Sequence, residues 1–128
     1  MRVVIIEAGK HPRLCDIDGS LGSMQQIVGG HLQAIYPFPE PVGLVCDDEA
    51  LFKETHKWNR AVDEHTIIKG TFFICGLGYE DFTDIPDDLA QKYIERFWMP
   101  EEIINMNGDI CILRHDDGTK PPADLGSL

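Results

Sequence analysis

Short hydrophobic runs alternate with polar turns along most of the chain, a pattern that predicts more strands than helices. Residues 3–7 and 66–78 are apolar on both faces, which is typical of strands at the centre of a sheet. The weaker alternation after a turn at residues 9–12 predicts that the first strand continues into a β-hairpin. Residues 31–36 and 42–46 alternate more regularly and predict a second pair of strands.

Two segments have the spacing of an amphipathic helix instead. Residues 20–29 place their apolar side chains on one helical stripe and end at a glycine, which favours a helix end. Residues 86–98 place Tyr93 and Phe97 on another stripe. Aspartates near the start of this segment and Arg96 near its end complement the helix dipole.

The segments between these elements have weaker patterns. Residues 47–63 are polar and irregular, with one helical turn expected at residues 50–52. Residues 99–106 are expected to add a turn of helix, and residues 109–114 a last short strand.

The order of these elements is not a repeating βαβ pattern, so we predict an α+β fold. A chain of 128 residues fits one domain, which we place at residues 1–115 with a flexible tail at residues 116–128. The sheet is expected to be mostly antiparallel and covered on one face by the helices at about residues 20–29 and 86–98.

Three prolines stand at alternate positions between the second pair of strands, at Pro37, Pro39 and Pro41. Proline lacks the N–H that a sheet requires and fixes φ near −65°. The prolines therefore either stop the strands or hold Tyr36 and Phe38 as a stiff aromatic rim beside a site.

The charge balance narrows the classes of partner. Net charge is −11, from 22 acidic and 11 basic residues, which disfavours binding to nucleic acid or to anionic membranes. It allows a solvated acidic surface, a basic protein partner or imitation of DNA. The N-terminal apolar run is too short for a signal peptide or a membrane span, and the four cysteines lie mostly inside apolar runs. We therefore expect a cytoplasmic protein whose cysteines are reduced and buried.

One basic cluster stands out in this acidic chain, formed by Lys53, His56, Lys57, Arg60 and Lys69. The planar guanidinium of an arginine can hold a phosphate or carboxylate through two hydrogen bonds, and an aromatic ring can stack on a base. The predicted ligand-binding residues are Tyr36, Phe38, Trp58, Asn59, Arg60 and Lys69. The alternative is a polar loop whose arginine pairs with a neighbouring acid and whose tryptophan covers the edge of the core.

An acidic cluster forms the opposing feature, with Glu80, Asp81, Asp84, Asp87 and Asp88. Several of these side chains are explained by helix capping and by the helix dipole. The alternative is a face that binds a basic protein partner.

No catalytic or metal motif accompanies these clusters. The histidines are scattered, no C-x-x-C occurs, and Gly76-Leu77-Gly78 lacks the further residues of a phosphate-binding loop. We therefore expect neither a metal nor another cofactor, and an enzyme is unsupported.

Five segments together resemble a known family, the domain of unknown function numbered 3846. They are "IDGSLGSMQQIVGG", "AIYPF", "WNRAV", "IKGTFFICG" and "DFTDIPDDLAQKYIERF", and they cover roughly residues 2–100. The family's activity is not established, so the resemblance assigns no catalytic residue. It implies a small accessory protein of bacteriophages or other mobile genetic elements, a class that often counters host defence.

Three functions are consistent with these observations. The first is a non-catalytic protein that binds and sequesters a small anionic, nucleotide-like ligand. The second is an acidic inhibitor that binds a host defence protein or mimics DNA, and the third is a small nucleotide-processing enzyme. Exposed strand edges would also allow a homodimer.

Overall fold

The structure, a computed structural model, describes residues 1–124 and has an α+β fold with strands that are all paired antiparallel. The strands of this part of the chain are β1 (Arg2–Ile6), β2 (Arg13–Asp16), β3 (Leu32–Ile35), β4 (Val42–Asp47), β5 (Trp58–Ala61), β6 (Ile67–Lys69), β7 (Phe72–Leu77), β8 (Phe82–Thr83), β9 (Glu101–Met106) and β10 (Asp109–Arg114). The helices are α1 (Leu21–Val28) and α2 (Asp87–Arg96), and a 3-10 turn covers Ala50–Phe52. The α+β prediction and the predicted antiparallel sheet are confirmed.

The central sheet has the strand order β2-β1-β7-β4-β3, and β8 also pairs with β7. Two smaller antiparallel ribbons, β5 with β6 and β9 with β10, lie outside this sheet.

The two helices cover opposite faces of the central sheet, so the expectation that both lie on one face was wrong. On one face, Val4 and its neighbours pack against Tyr93 and Ile94 of α2. On the other face, Val3 and its neighbours pack against Met24 and Val28 of α1. The reason is the apolar character of β1, β4 and β7 on both faces, because each apolar face of a sheet must be buried.

The ends of the helices follow from local chemistry. The Ser20 hydroxyl caps α1 by accepting a hydrogen bond from the Ser23 amide at 3.3 Å. Asp87 and Asp88 occupy the first turn of α2 and Arg96 its last turn, where each charge interacts favourably with the helix dipole.

Three segments differ from the predicted elements. The strand predicted for residues 66–78 is two strands, because the chain turns at Gly70 and β6 pairs with β5 instead of entering the sheet. The helical turn predicted for residues 99–106 is β9, which pairs with β10 along its whole length. The region predicted as irregular, residues 47–63, contains β5.

Residues 116–124 form neither helix nor strand, but several of them contact the body of the domain. Asp117 pairs with His11 at 2.7 Å, and the Trp98 indole donates to the Thr119 hydroxyl at 3.1 Å. Residues 125–128, which belong to the predicted flexible tail at 116–128, lie outside the described residues.

The cysteines divide into buried and accessible ones. Cys46 and Cys75 are buried, and burial raises the pKa of their thiols to about 11 and about 12. Cys15 is half-buried, whereas Cys111 on β10 is exposed, which corrects the expectation that the cysteines are buried. Within residues 1–124, neither helix has the length and apolar character needed to cross a membrane.

Candidate functional site

Trp58 and Lys69 face each other across the ribbon of β5 and β6. The ammonium group of Lys69 lies 5.6 Å from the centre of the Trp58 ring, within range of a cation–π interaction. Trp58 keeps 42% of its surface exposed, whereas the next two residues, Asn59 and Arg60, are fully buried. A β-bulge between Trp58 and Arg60 breaks the strict alternation of side chains and permits this arrangement.

Asn59 joins the ribbon to the central sheet. Its side-chain amide donates to the backbone carbonyls of Ile6 and Gly70, each at 2.9 Å. Its carbonyl oxygen accepts a hydrogen bond from Arg60 at 2.8 Å. Both ends of the side chain are therefore engaged inside the protein.

Arg60 joins the same ribbon to two further segments. Its guanidinium donates to the Phe97 carbonyl at the end of α2, at 3.2 Å from Nε and 3.0 Å from Nη2. Nη2 also donates to the Lys10 carbonyl at 2.6 Å. Burial lowers the pKa of Arg60 to about 10, and the negative charge of Glu101 opposes this decrease. Arg60 is therefore a buried cation at neutral pH, held by carbonyl groups.

These contacts correct the prediction that Asn59 and Arg60 bind a ligand. A phosphate would reach the guanidinium only if the protein broke the hydrogen bonds that connect the turn before β2, the ribbon and α2. The two residues hold the fold together in this structure.

Phe38 is also part of the core and not of an exposed rim. Its ring lies 4.5 Å from the Tyr93 ring, centre to centre, and the Arg96 guanidinium lies 5.1 Å from its centre. Tyr36, two residues earlier, is 61% exposed and lies beside the loop between β7 and β8. Trp58 and Lys69 line a different cleft, so the six predicted residues do not form one site.

The proline-rich connection between β3 and β4 is held against α2. Glu40 accepts hydrogen bonds from the Tyr93 hydroxyl and from Lys92. The bond from Lys92, followed by that from Tyr93, lowers the pKa of the Glu40 carboxyl. The connection thus holds Phe38 in the core, while Tyr36 at its start stays exposed.

Two of the five residues of the predicted basic cluster, Lys53 and His56, pair with one buried carboxylate, that of Asp47. Asp47 accepts hydrogen bonds from Lys53 at 2.5 Å, from His56 at 2.8 Å and from the Glu49 amide at 2.9 Å. Burial by itself would raise the pKa of Asp47, but these hydrogen bonds outweigh burial and hold the pKa below its usual value. With Arg60 buried as well, Lys57 and Lys69 are the lysines of the cluster that remain available.

Two glycines make room for the His56 ring. A Cβ atom at Gly29 would lie 2.8 Å from the ring, and one at Gly70 would lie 3.1 Å from it. Both glycines also have positive φ, at 85° and 86°. The ring is therefore held between two backbone segments, with Nε2 on Asp47.

An open cleft of about 740 Å³ lies between the β5–β6 ribbon and the base of the β9–β10 hairpin. Its volume is in the usual range for small-molecule sites. The lining combines aromatic, basic and acidic side chains with the backbone of the hairpin, namely Gly9, Glu54, His56, Lys57, Trp58, Lys69, Pro100, Glu101, Glu102, Ile103, His115 and Asp117. We call this feature the Trp58 cleft.

Most acids of the Trp58 cleft have partners. Glu101 accepts from the Ala61 amide at 2.8 Å, Glu102 pairs with His115 at 3.1 Å, and Asp117 pairs with His11. Within residues 1–124, by contrast, Lys57 and Lys69 form no ion pair. The cleft therefore presents two unpaired ammonium groups next to an exposed indole ring, within a lining that also carries the acids Glu54, Glu101, Glu102 and Asp117.

Sequence reasoning missed the part of the cleft that comes from residues 100–117. The segment before β10 was predicted to be helical, which gave no reason to place Glu102 or His115 near Trp58. The distance along the chain between β5 and β9 leaves no local pattern that would predict their proximity.

The five predicted acidic-face residues are all exposed. Arg2 uses two of them, because its amide donates to Asp84 at 2.9 Å and its guanidinium to Asp87 at 2.7 Å. Tyr79, which precedes Glu80, is fully exposed. The acidic face therefore carries an accessible aromatic side chain.

No cluster of three or more His, Cys, Asp or Glu side chains among residues 1–124 is arranged to hold a metal ion.

The fold and the cleft define a small α+β domain with an open charged cleft beside a projecting β-hairpin. The chain belongs to the family of the domain of unknown function DUF3846, whose model matches residues 1–98. The match confirms the resemblance found in the sequence and ends before β9. No curated protein and no solved structure matches the chain.

Proposed function

We propose that this protein binds a small anionic ligand with a planar ring, such as a nucleotide, in the Trp58 cleft and acts by sequestering it. The observation that carries the proposal is the exposed Trp58 ring flanked by the unpaired ammonium groups of Lys57 and Lys69. An aromatic ring stacks on any base, and ammonium groups attract phosphate. The six-residue site inferred from the sequence is thereby reduced to Trp58 and Lys69 and gains Lys57.

Sequestration accounts for the cleft better than catalysis does. The carboxylate that binds His56, that of Asp47, also binds Lys53, so this pair is already engaged. The proposal takes the source that the family resemblance implies, a bacteriophage or other mobile element, and the host cytoplasm as the site of action. A protein that withdraws a nucleotide signal from a defence system fits that context.

Replacing Trp58 with alanine is expected to weaken nucleotide binding about fivefold or more, because stacking on an aromatic side chain contributes about 1–3 kcal/mol. Isothermal titration calorimetry with AMP, ADP, ATP and cyclic dinucleotides measures the effect. Trp58→Phe should retain most of the affinity, and Tyr79→Ala is the matched control for an exposed aromatic outside the cleft.

Two results would contradict the proposal: no binding by the wild-type protein to any of these nucleotides, or equal affinity of the Trp58→Ala variant. Chromatography of the recovered nucleotide separates the alternatives further. An unchanged nucleotide supports sequestration, whereas a converted one supports the nucleotide-processing enzyme.

A second candidate is an interface for a basic host protein on the acidic face. The specific observation is the fully exposed Tyr79, which together with Tyr36 lines a shallow depression beside Glu80 and Asp81. An arginine-rich surface would pair with the carboxylates and stack on the tyrosine rings.

Charge reversal at two exposed acids, Glu80→Lys with Asp88→Lys, is expected to abolish such a complex and to leave nucleotide binding unchanged. Pull-down of host proteins with wild-type and variant chains, at low and high salt, tests this second candidate, since an electrostatic interface weakens with salt. Capture of the same proteins by both chains would exclude it.

A further inference from the structure

His56 lines the Trp58 cleft with a ring that has one bonded nitrogen and one without a partner. Nε2 lies 2.8 Å from the Asp47 carboxylate, and it carries a hydrogen because an ionised carboxylate can only accept hydrogen bonds. In the described part of the chain, Nδ1 has no hydrogen-bond partner. The ring is therefore oriented by one nitrogen and leaves the other available to a ligand.

Nδ1 is also the part of the ring that stays accessible. A Cβ atom at Gly29 would lie nearest Cε1 of the ring, and one at Gly70 nearest Cγ and Cδ2, so these two backbone segments cover the other ring atoms. The side chain nevertheless keeps 17% of its surface exposed. Among the residues that the structure describes, the buried side-chain nitrogen or oxygen without a partner is Gln91 Oε1. Nδ1 also lacks a partner and does not share that burial, so it is reachable from solvent.

The protonation state of His56 decides what Nδ1 offers to a ligand. In the neutral ring Nδ1 carries a lone pair, which repels an anion, whereas in the protonated ring it carries a hydrogen and donates. Lys53 lies 2.5 Å from the same Asp47 oxygen and compensates the carboxylate charge, so Asp47 does not require a second cation. A bound anion would supply the negative charge that stabilises the protonated ring.

Further charged groups surround His56 in addition to Asp47 and Lys53. Those that line the Trp58 cleft or a smaller cleft on which His56 also lies are Glu7, Lys10, Glu54, Lys57, Lys69, Glu101, Glu102, His115 and Asp117. Lys57 lines both clefts, so an ammonium group accompanies the ring on either side. Lysines and carboxylates keep their charge near neutral pH, whereas histidines change theirs between about pH 5 and 8. Proton exchange near neutral pH therefore concerns His56, His115 and His11, which pairs with Asp117.

We propose that the phosphate of the ligand binds at Nδ1 of His56, beside the Lys57 ammonium group, and that the ring takes up a proton from solvent as it binds. This inference rests on the proposed function and adds to it a phosphate-binding side chain whose contribution depends on pH. The protonated ring donates one hydrogen bond to Asp47 and one to the phosphate, and hydrogen bonds between charged groups are stronger than neutral ones. The lysines attract the same phosphate throughout this pH range, so His56 adds the proton-dependent part of the affinity.

Isothermal titration calorimetry with cyclic AMP and cyclic di-AMP, in buffers of different ionisation enthalpy, measures the proton uptake. The phosphodiesters of these probes keep a constant charge near neutral pH, so any proton taken up goes to the protein. We expect the wild-type chain to take up about half a proton or more per ligand near neutral pH and to lose affinity about fivefold or more between about pH 6 and 8. His56→Gln keeps an amide N–H for Asp47 but cannot gain a proton, so its affinity should be lower at about pH 6 and independent of pH. His115→Gln and His11→Gln are the matched controls and should keep the proton uptake.

Nitrogen NMR of labelled histidines tests the inference without a variant. In the free protein above neutral pH, His56 should carry its hydrogen on Nε2 and none on Nδ1, and cyclic AMP should add a hydrogen to Nδ1. Binding without proton uptake, uptake that persists in a folded His56→Gln protein, or a neutral ring with its hydrogen on Nδ1 would overturn this inference and leave nucleotide binding standing. Absence of binding at every pH would overturn the proposed function and this inference with it.

Discussion

Replacement of Arg60 with alanine is expected to destabilise the fold by about 3 kcal/mol or more, since it leaves several buried acceptors without a donor. The acceptors are the carbonyl oxygens of Phe97 and Lys10 and the side-chain oxygen of Asn59. The loss would affect three segments at once, because Arg60 connects the β5–β6 ribbon, the turn before β2 and the end of α2. Urea unfolding at neutral pH, followed by tryptophan fluorescence, measures the change.

The controls separate structure from ligand binding. Arg60→Lys keeps the positive charge but offers a single ammonium group, which cannot reach all of these acceptors, so we expect an intermediate loss. Arg13→Ala removes an exposed arginine that pairs with Glu7 and should change stability little. An Arg60→Ala protein as stable as wild type that no longer binds a nucleotide would instead support the ligand role inferred from the sequence.

Replacement of Asp47 with asparagine is the second large effect that we expect, about 3 kcal/mol at neutral pH. The variant keeps the shape of the side chain but removes the negative charge that Lys53 and His56 share. Water cannot compensate for the lost charge, because the Asp47 side chain, which accepts three hydrogen bonds, has no exposed surface. Asp48→Asn, at the exposed neighbouring position, is the matched control.

The stabilisation by Asp47 should depend on pH in a defined direction. Its pKa is lower in the folded state than in the unfolded chain, so the stabilising contribution is complete above the unfolded pKa of about 4. The contribution is lost as pH falls through the folded pKa. The difference in unfolding free energy between wild type and Asp47→Asn should therefore shrink as pH decreases below about 4. A difference that stays constant to the lowest pH would show that Asp47 is not the titrating group.

Local patterns in the sequence were sufficient to predict those elements whose position depends mainly on interactions between neighbouring residues. The glycine after α1 and the aspartates at the start of α2 placed both helices to within a few residues, because capping depends on neighbours along the chain. The apolar runs identified β1 and β4 for the same reason. The separation of β6 from β7 was missed, since both lie in one apolar run and only the positive φ of Gly70 divides them.

The candidate site was harder to predict than the fold. Residue type by itself does not distinguish an arginine that faces a ligand from one that faces carbonyl groups. Arg60, which is fully buried, was therefore assigned to the wrong environment. Trp58 and Lys69 were predicted together from residue type alone, and they face each other across the β5–β6 ribbon. Their role in ligand binding stays a prediction.

The α+β class, the central strands, both helices, the family and the excess of negative charge could all be inferred from the amino-acid sequence. These properties depend on spacing and composition, which are local or additive. Three features required the three-dimensional packing: the helices lie on opposite faces of the sheet, Asp47 pairs with Lys53 and His56, and the hairpin base completes the Trp58 cleft. Each of these depends on which distant segments pack together, and that choice is made by burial of the whole chain and not by any one segment.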